Sequence, residues 1–217
     1  MNTAVIERPG ESVSPVPVVA LKRRTIDSVL ISIGVVAALV FAVAGALLTW
    51  GANFASDYVG DELSSQNITF PSAEALTEEG RTDLLKFADQ KVNTGEEAEG
   101  YASFINGHLE GIADGATYAD LGAVESAAKA DVNAAVDAGE PQAKVDELQA
   151  TADGISGQRN SLFKGETLRG LLLSAYAWST VGMIAGIAAI GAFIAAAVMA
   201  ILSVLGLVHH HRTPKTA

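Results

Sequence analysis

Four histidines and 25 carboxylates are the side chains of this 217-residue chain best equipped for chemistry. Their spacing argues against most of it. His209, His210 and His211 are consecutive. Successive residues of a helix point about 100° apart, so three in a row cannot converge on one ion without unwinding. They read as a polar cap where an apolar segment ends. His108 stands alone beside Leu109 with no nucleophile at a matching spacing, which suits a satisfied histidine better than a general base. Glu78-Glu79 and Glu96-Glu97-Glu99 lack the Asp/Asn/Gly pattern of a calcium loop, and serve better as solvated faces and helix N-terminal charge. No nucleophile elbow, phosphate loop or HExxH motif occurs. The sequon Asn67-Ile68-Thr69 has meaning only in a glycosylating host. Because there is no cysteine, disulfides, thiolate metal sites and iron–sulfur ligation are excluded together. The expectation is a protein without enzymatic activity, resident cofactor or metal.

The elements that carry these residues are set by charge. Residues 28–50 and 170–208 contain no charged side chain. A hydrocarbon core about 30 Å thick needs ~20 apolar residues in a helix, and both runs reach that length. Neither holds an ionisable group of the kind ion pathways and proton relays use, nor a histidine that could ligate haem. Between them, residues 51–168 carry 22 Asp and Glu against 7 Lys and Arg. Such a surface offers nothing to nucleic acid, but can steer a basic partner such as a cytochrome. Lys22, Arg23 and Arg24 before the first run and Arg212 and Lys215 after the second place both termini in the cytoplasm. Lys164 and Arg169 on the other flank count against this orientation without overturning it. Trp50 and Tyr58 mark one outer boundary, Tyr176 and Trp178 the other. A cleaved signal peptide is the rival reading of the first run, with Ala44-Gly45-Ala46 resembling a cleavage site. The run exceeds the usual 7–15-residue h-region, which favours an uncleaved anchor.

The predicted architecture is all-α: two transmembrane helices flanking a small acidic extracytoplasmic helical bundle. Its parts are a cytoplasmic tail over 1–26, a span over 27–51, an outer domain over 52–179, a second span over 180–208, and a tail over 209–217. Pro9, Pro15 and Pro17 make the first tail extended or disordered. In the insert, residues 67–71 should be extended before Pro71. Ser72 should cap a helix carrying Leu76, Leu84, Leu85 and Phe87. Thr94 with Glu97 forms a capping-box pattern ahead of Ala98, Tyr101, Phe104, Ile105, Leu109 and Ile112. Residues 118–138 are alanine-rich and helix-favouring, and Gly139-Glu140-Pro141 breaks the pattern. Beyond it Val145, Leu148, Ala152, Ile155 and Leu162 recur at steps of three and four, interrupted by Arg159, as in a short coiled-coil seam. Large apolar residues are few, so the domain should lean on its membrane helices or a partner.

At 1.5 Å per residue the second run would extend about 58 Å, nearly twice the hydrocarbon thickness. Either an interfacial helix over about 162–179 precedes the span, or one long helix packs its outer turns on the insert. Within the spans, Gly34, Ala38, Ala42 and Ala46 form a small-residue stripe. Gly182 and Gly186 followed by Ala188, Ala192, Ala196 and Ala200 form another. Such stripes let helices approach closely, whether the two spans pair with each other or with another protein. At the outer boundary Lys164, Glu166 and Arg169, with Tyr176 and Trp178, either pin the hairpin to a larger protein or simply terminate the membrane helix.

Two stretches, Tyr58 through Leu63-Ser64-Ser65-Gln66-Asn67-Ile68-Thr69-Phe70-Pro71, and Leu162-Phe163-Lys164-Gly165-Glu166-Thr167-Leu168-Arg169-Gly170-Leu171-Leu172 running into Ala175-Tyr176-Ala177-Trp178, carry a resemblance. Over roughly residues 57–190 the chain resembles a family of actinobacterial two-span membrane proteins with an outer helical domain. Such a member is similar to accessory membrane subunits of the actinobacterial respiratory supercomplex of a cytochrome bcc complex with cytochrome c oxidase. The resemblance implies an integral membrane complex, respiratory in kind, as partner, alongside membrane lipids. It supplies no catalytic residues. The competing expectation is a free-standing envelope sensor that binds a ligand in its helical domain.

Overall fold

The computed structural model describes residues 23–212; of the tails expected over 1–26 and 209–217, residues 1–22 and 213–217 lie outside them, while 23–26 and 209–212 are helical. The described residues are all-helical apart from turns and one isolated antiparallel bridge, Thr69 with Lys91. Two long helices, α1 (Arg23–Ser65) and α5 (Gln142–Arg212), are long and apolar enough to cross a membrane. Between them lie α2 (Ala73–Glu78), a 3-10 helix Thr82–Phe87, α3 (Gly95–Glu110), a 3-10 turn Ile112–Gly115 and α4 (Asp120–Asp137).

The described residues divide into two compact units, residues 23–42 with 193–212, and residues 43–192. In the first, the described parts of α1 and α5 run antiparallel. Gly34 lies against Ser203, Gly206 against Ile31, and Arg24 Nε donates to His210 Nε2 at 3.2 Å. A Cβ on Gly34 would collide with the Ser203 hydroxyl, so glycine is what allows the approach there. The Ser203 hydroxyl donates to the Met199 carbonyl at 2.7 Å and carries no unmet polar demand into the apolar surroundings.

In the second unit the core is built on the two long helices themselves. Val59 and Leu63 of α1 and Leu172 of α5 join Phe70, Leu76, Leu84, Phe87, Val92, Ala98, Ala102 and Phe104 in one buried cluster. Phe70 stacks on Phe87 at 5.1 Å and takes the edge of Tyr101 at 5.2 Å. A smaller cluster of Leu109, Leu121 and Leu162 ties α3 and α4 to α5. The insert therefore leans on the long helices, as its thin apolar content requires.

Local signals act where the sequence places them. The Ser72 hydroxyl accepts from the Ala75 amide. The Thr94 hydroxyl accepts from the Glu97 amide, while the Glu97 carboxylate accepts from the amides of Asn93 and Thr94 at 2.8 and 2.9 Å, closing the capping box. Two features differ from expectation, and a third decides between two alternatives the sequence left open. The helix after Ser72 stops at Glu78, because Gly80 takes a positive φ of 71° and turns the chain into the 3-10 helix that holds Leu84 and Phe87. Helix α1 continues past residue 51 to Ser65, since Ala55, Val59 and Leu63, at steps of four, are buried. No break separates 162–179 from the residues that follow, so α5 is a single helix of 71 residues.

Candidate functional site

The buried face of α5 advances by threes and fours, through Val145, Leu148, Ala152, Ile155, Arg159 and Leu162 and on to Leu172, Gly182, Ala189, Ala196 and Ser203. A strict step of four gains about 40° per step over a helical turn, so a stripe drawn at fours winds off the contact face within three steps. Of the stripe residues, Gly34, Gly182 and Ala196 are buried, and Ala38, Ala42, Gly186 and Ala192 are half-buried. Ala46, Ala188 and Ala200 are exposed, while their neighbours Gly45 and Ala189 take the contact positions. A Cβ on Gly182 would come to 2.9 Å from the Ala55 Cβ and 3.3 Å from the Ala52 carbonyl oxygen. That contact fixes the register of the two helices in this unit: residues 52–55 of α1 lie beside 182–186 of α5.

The register has a consequence for charge. Farther along, Val59 and Leu63 share a core cluster with Leu172 and Ala175. Asp57, Asp61 and Glu62, all exposed on α1, are therefore level with the uncharged stretch of α5 between residues 170 and 182. Carboxylates belong in water or among head groups. At this level Leu171 (64% exposed) and Trp178 (53% exposed), with Val181 beside them, present an apolar face, while the exposed Leu173 and Tyr176 lie on other sides of α5.

A cleft of about 320 Å³ opens on this face. Its α1 wall is Tyr58, Val59, Glu62, Leu63 and Gln66; its α5 wall is Leu168, Leu171, Leu172, Ser174, Ala175 and Trp178, with Ile68 at one end. Trp50, Phe54 and Tyr58 lead to it as a stacked aromatic ladder at one-turn spacing, with ring centroids 5.7 and 6.1 Å apart, and all three are exposed. The carboxylates of Asp57, Asp61 and Glu62 have no ion-pair partner among the described residues. The nearby Arg169 is engaged within its own helix by Glu166 at 2.8 Å, and Lys164 is exposed. Of the set expected at the outer boundary, Trp178 stands in the cleft, while Tyr176, two residues earlier on the helix, lies on another side of α5. Glu62, Gln66, Leu168 and Leu171 were not legible as part of it, because the sequence does not show that α1 continues beside α5.

A polar cluster lies where Arg159 interrupts the seam. Glu125 of α4, its side chain 12% exposed, receives hydrogen bonds from Lys129 (2.6 Å), Ser156 (2.7 Å) and Arg159 (2.7 Å). These donors hold its carboxyl down from 4.5 to about 2, Lys129 contributing most, then Ser156 and Arg159. The Arg159 guanidinium also lies over the Tyr118 ring at 4.1 Å and donates to the Tyr118 carbonyl. Every strong donor here is matched, which makes the cluster a latch between α4 and α5. Arg159 in an apolar seam was the signal for a buried acid; nothing in the alanine-rich stretch singled out Glu125.

His108 Nδ1 lies 3.1 Å from the Phe104 carbonyl oxygen and Nε2 3.6 Å from Glu79, with the ring against Phe104. Among the described residues no group of three or more His, Asp or Glu side chains converges as a metal site. In the first unit, an apolar groove of about 500 Å³ runs past Ala38, Ala42, Ala196 and Ala200. Comparison with family models, curated proteins and solved structures gives no match to this chain.

Proposed function

We propose that this chain is a non-catalytic accessory subunit of a membrane protein complex, with the actinobacterial respiratory cytochrome bcc–cytochrome c oxidase supercomplex as its assembly. The observation that carries the reading is the apolar face of α5 between Leu171 and Val181, level with the charged residues Asp57, Asp61 and Glu62. An apolar patch held at the level of solvated carboxylates is stabilised by covering it, and exposed patches of this kind mark interaction sites. The spans are consistent with the same role, since their outward faces carry bulky apolar residues and no ionisable group. On this reading Lys22, Arg23, Arg24, Arg212 and Lys215 lie in the cytoplasm and the acidic insert lies outside. Identification of the respiratory assembly rests on the family resemblance of residues 57–190.

The test is purification of the full-length chain in mild detergent with quantitative mass spectrometry. The reading predicts oxidase or cytochrome subunits at equal abundance with the chain. Recovery of the chain without any stoichiometric membrane partner would overturn it.

A further inference from the structure

We infer that the cleft between Tyr58–Glu62–Gln66 on α1 and Leu168–Leu171–Trp178 on α5 is the seat of a basic amphipathic helix of the partner protein, an inference that rests on the accessory-subunit reading. The floor of the cleft is apolar and aromatic, and its length follows two helices packed side by side. That is the shape a third helix occupies with its apolar face inward.

Charge selects the occupant. Glu62 stands in the wall of the cleft, Asp57 and Asp61 stand on the same stretch of α1, and none has a cation within ion-pair distance among the described residues. Many other carboxylates of the insert are also unpaired, but Glu62 differs from them in standing in the wall of an apolar cleft. A lysine or arginine on the rim of the incoming helix completes the cleft. An anionic lipid head group would meet repulsion from the same carboxylates. A second copy of this chain docked by the same face would bring together two copies of the same acidic stretch of α1, with no lysine or arginine in the cleft to answer it.

The experiment places the photoreactive residue p-benzoylphenylalanine at Leu171 in the full-length chain and irradiates native membranes. The expected product is a crosslink to another polypeptide, in a segment with Lys or Arg within one helical turn of the crosslinked residue. Adding Glu62→Lys should lower the yield about tenfold, as reversal of a charge facing a cation does. Glu62→Gln should lower it less and remove most of its sensitivity to salt, and Glu78→Lys on α2 should leave it unchanged. Crosslinks only to lipid, to a second copy, or to a segment without basic residues would overturn the inference. So would an undiminished yield in Glu62→Lys. Should a stoichiometric partner co-purify while Leu171 gives no crosslink, the cleft assignment fails and the accessory reading stands. Should no partner co-purify, both fail.

Discussion

Glu125 couples the fold to pH more directly than the other carboxylates, because three donors act on one largely buried group. Its folded-state pKa is about 2, against 4.5 without those donors. A carboxyl depressed on folding stabilises the native state fully above the unfolded value and loses that contribution as pH falls through the folded value. The latch is therefore intact at neutral pH and weakens between about 4.5 and 2. Glu125→Gln keeps the shape and removes the charge. It should lower the melting temperature of the detergent-solubilised protein at pH 7, with the gap to wild type closing across that window. Asp83, Asp120 and Glu147 are also depressed, by hydrogen bonds from Arg81, Thr117 and Lys144 respectively, but they titrate alike in both proteins and cancel in the difference. A gap that stays constant down to pH 2 would show that Glu125 acts only by packing.

At the scale of elements, caps and close approaches carry the stability. Leu76 is fully buried, and Leu76→Ala should cost about 2–5 kcal/mol in denaturant unfolding of the insert. Thr94→Ala opens the capping box of α3 and should cost about 0.5–2 kcal/mol in the same measurement. Gly165 admits the Leu109 side chain against the α5 backbone, so Gly165→Val should destabilise by about 1–3 kcal/mol through overpacking, while the same change at exposed Gly157 leaves the smaller helix-propensity effect. The caps, the Gly139 turn, the seam of α5 and the extended backbone over 68–71 are written in local sequence, since each depends on residues within one or two turns, whereas Asn67, expected to be extended, turns with a φ of 50°. Long-range registry is not. That Ala55, Val59 and Leu63 are a contact face shows only once α5 lies beside them, because Asp57, Asp61 and Glu62 make the same segment read as the end of a span. The stripes at steps of four show the complementary problem. Gly34 and Gly182 are where the backbone demands them, but the contact moves to Gly45 and Ala189 because a helical turn holds 3.6 residues. The cleft was illegible for the same reason: its two walls are about a hundred residues apart in the chain.

For the whole molecule the decisive question is where water ends along α5, and the lack of cysteine makes that measurable one position at a time. A hydrocarbon core about 30 Å thick takes up ~20 residues of helix, so the uncharged run of 170–208 cannot lie wholly within it. Register with Asp57, Asp61 and Glu62 assigns the surplus to the end nearest residue 170. Single-cysteine variants of the full-length chain, Leu171→Cys, Trp178→Cys, Ile187→Cys and Ile194→Cys, can be treated with a membrane-impermeant maleimide after purification into lipid nanodiscs without a partner. Leu171→Cys and Trp178→Cys should react readily, and Ile187→Cys and Ile194→Cys should remain protected, although all four native residues are comparably apolar and exposed. In intact cells Glu78→Cys should react from outside and Lys215→Cys only after lysis, which tests the orientation set by the flanking lysines and arginines. On the accessory-subunit reading, in which a partner covers this surface in cells, Leu171→Cys should then be protected in cells yet reactive once purified. If position 171 is protected in the nanodisc as well, α5 carries its apolar face into lipid, and the surface on which the accessory role rests is not exposed to water at all.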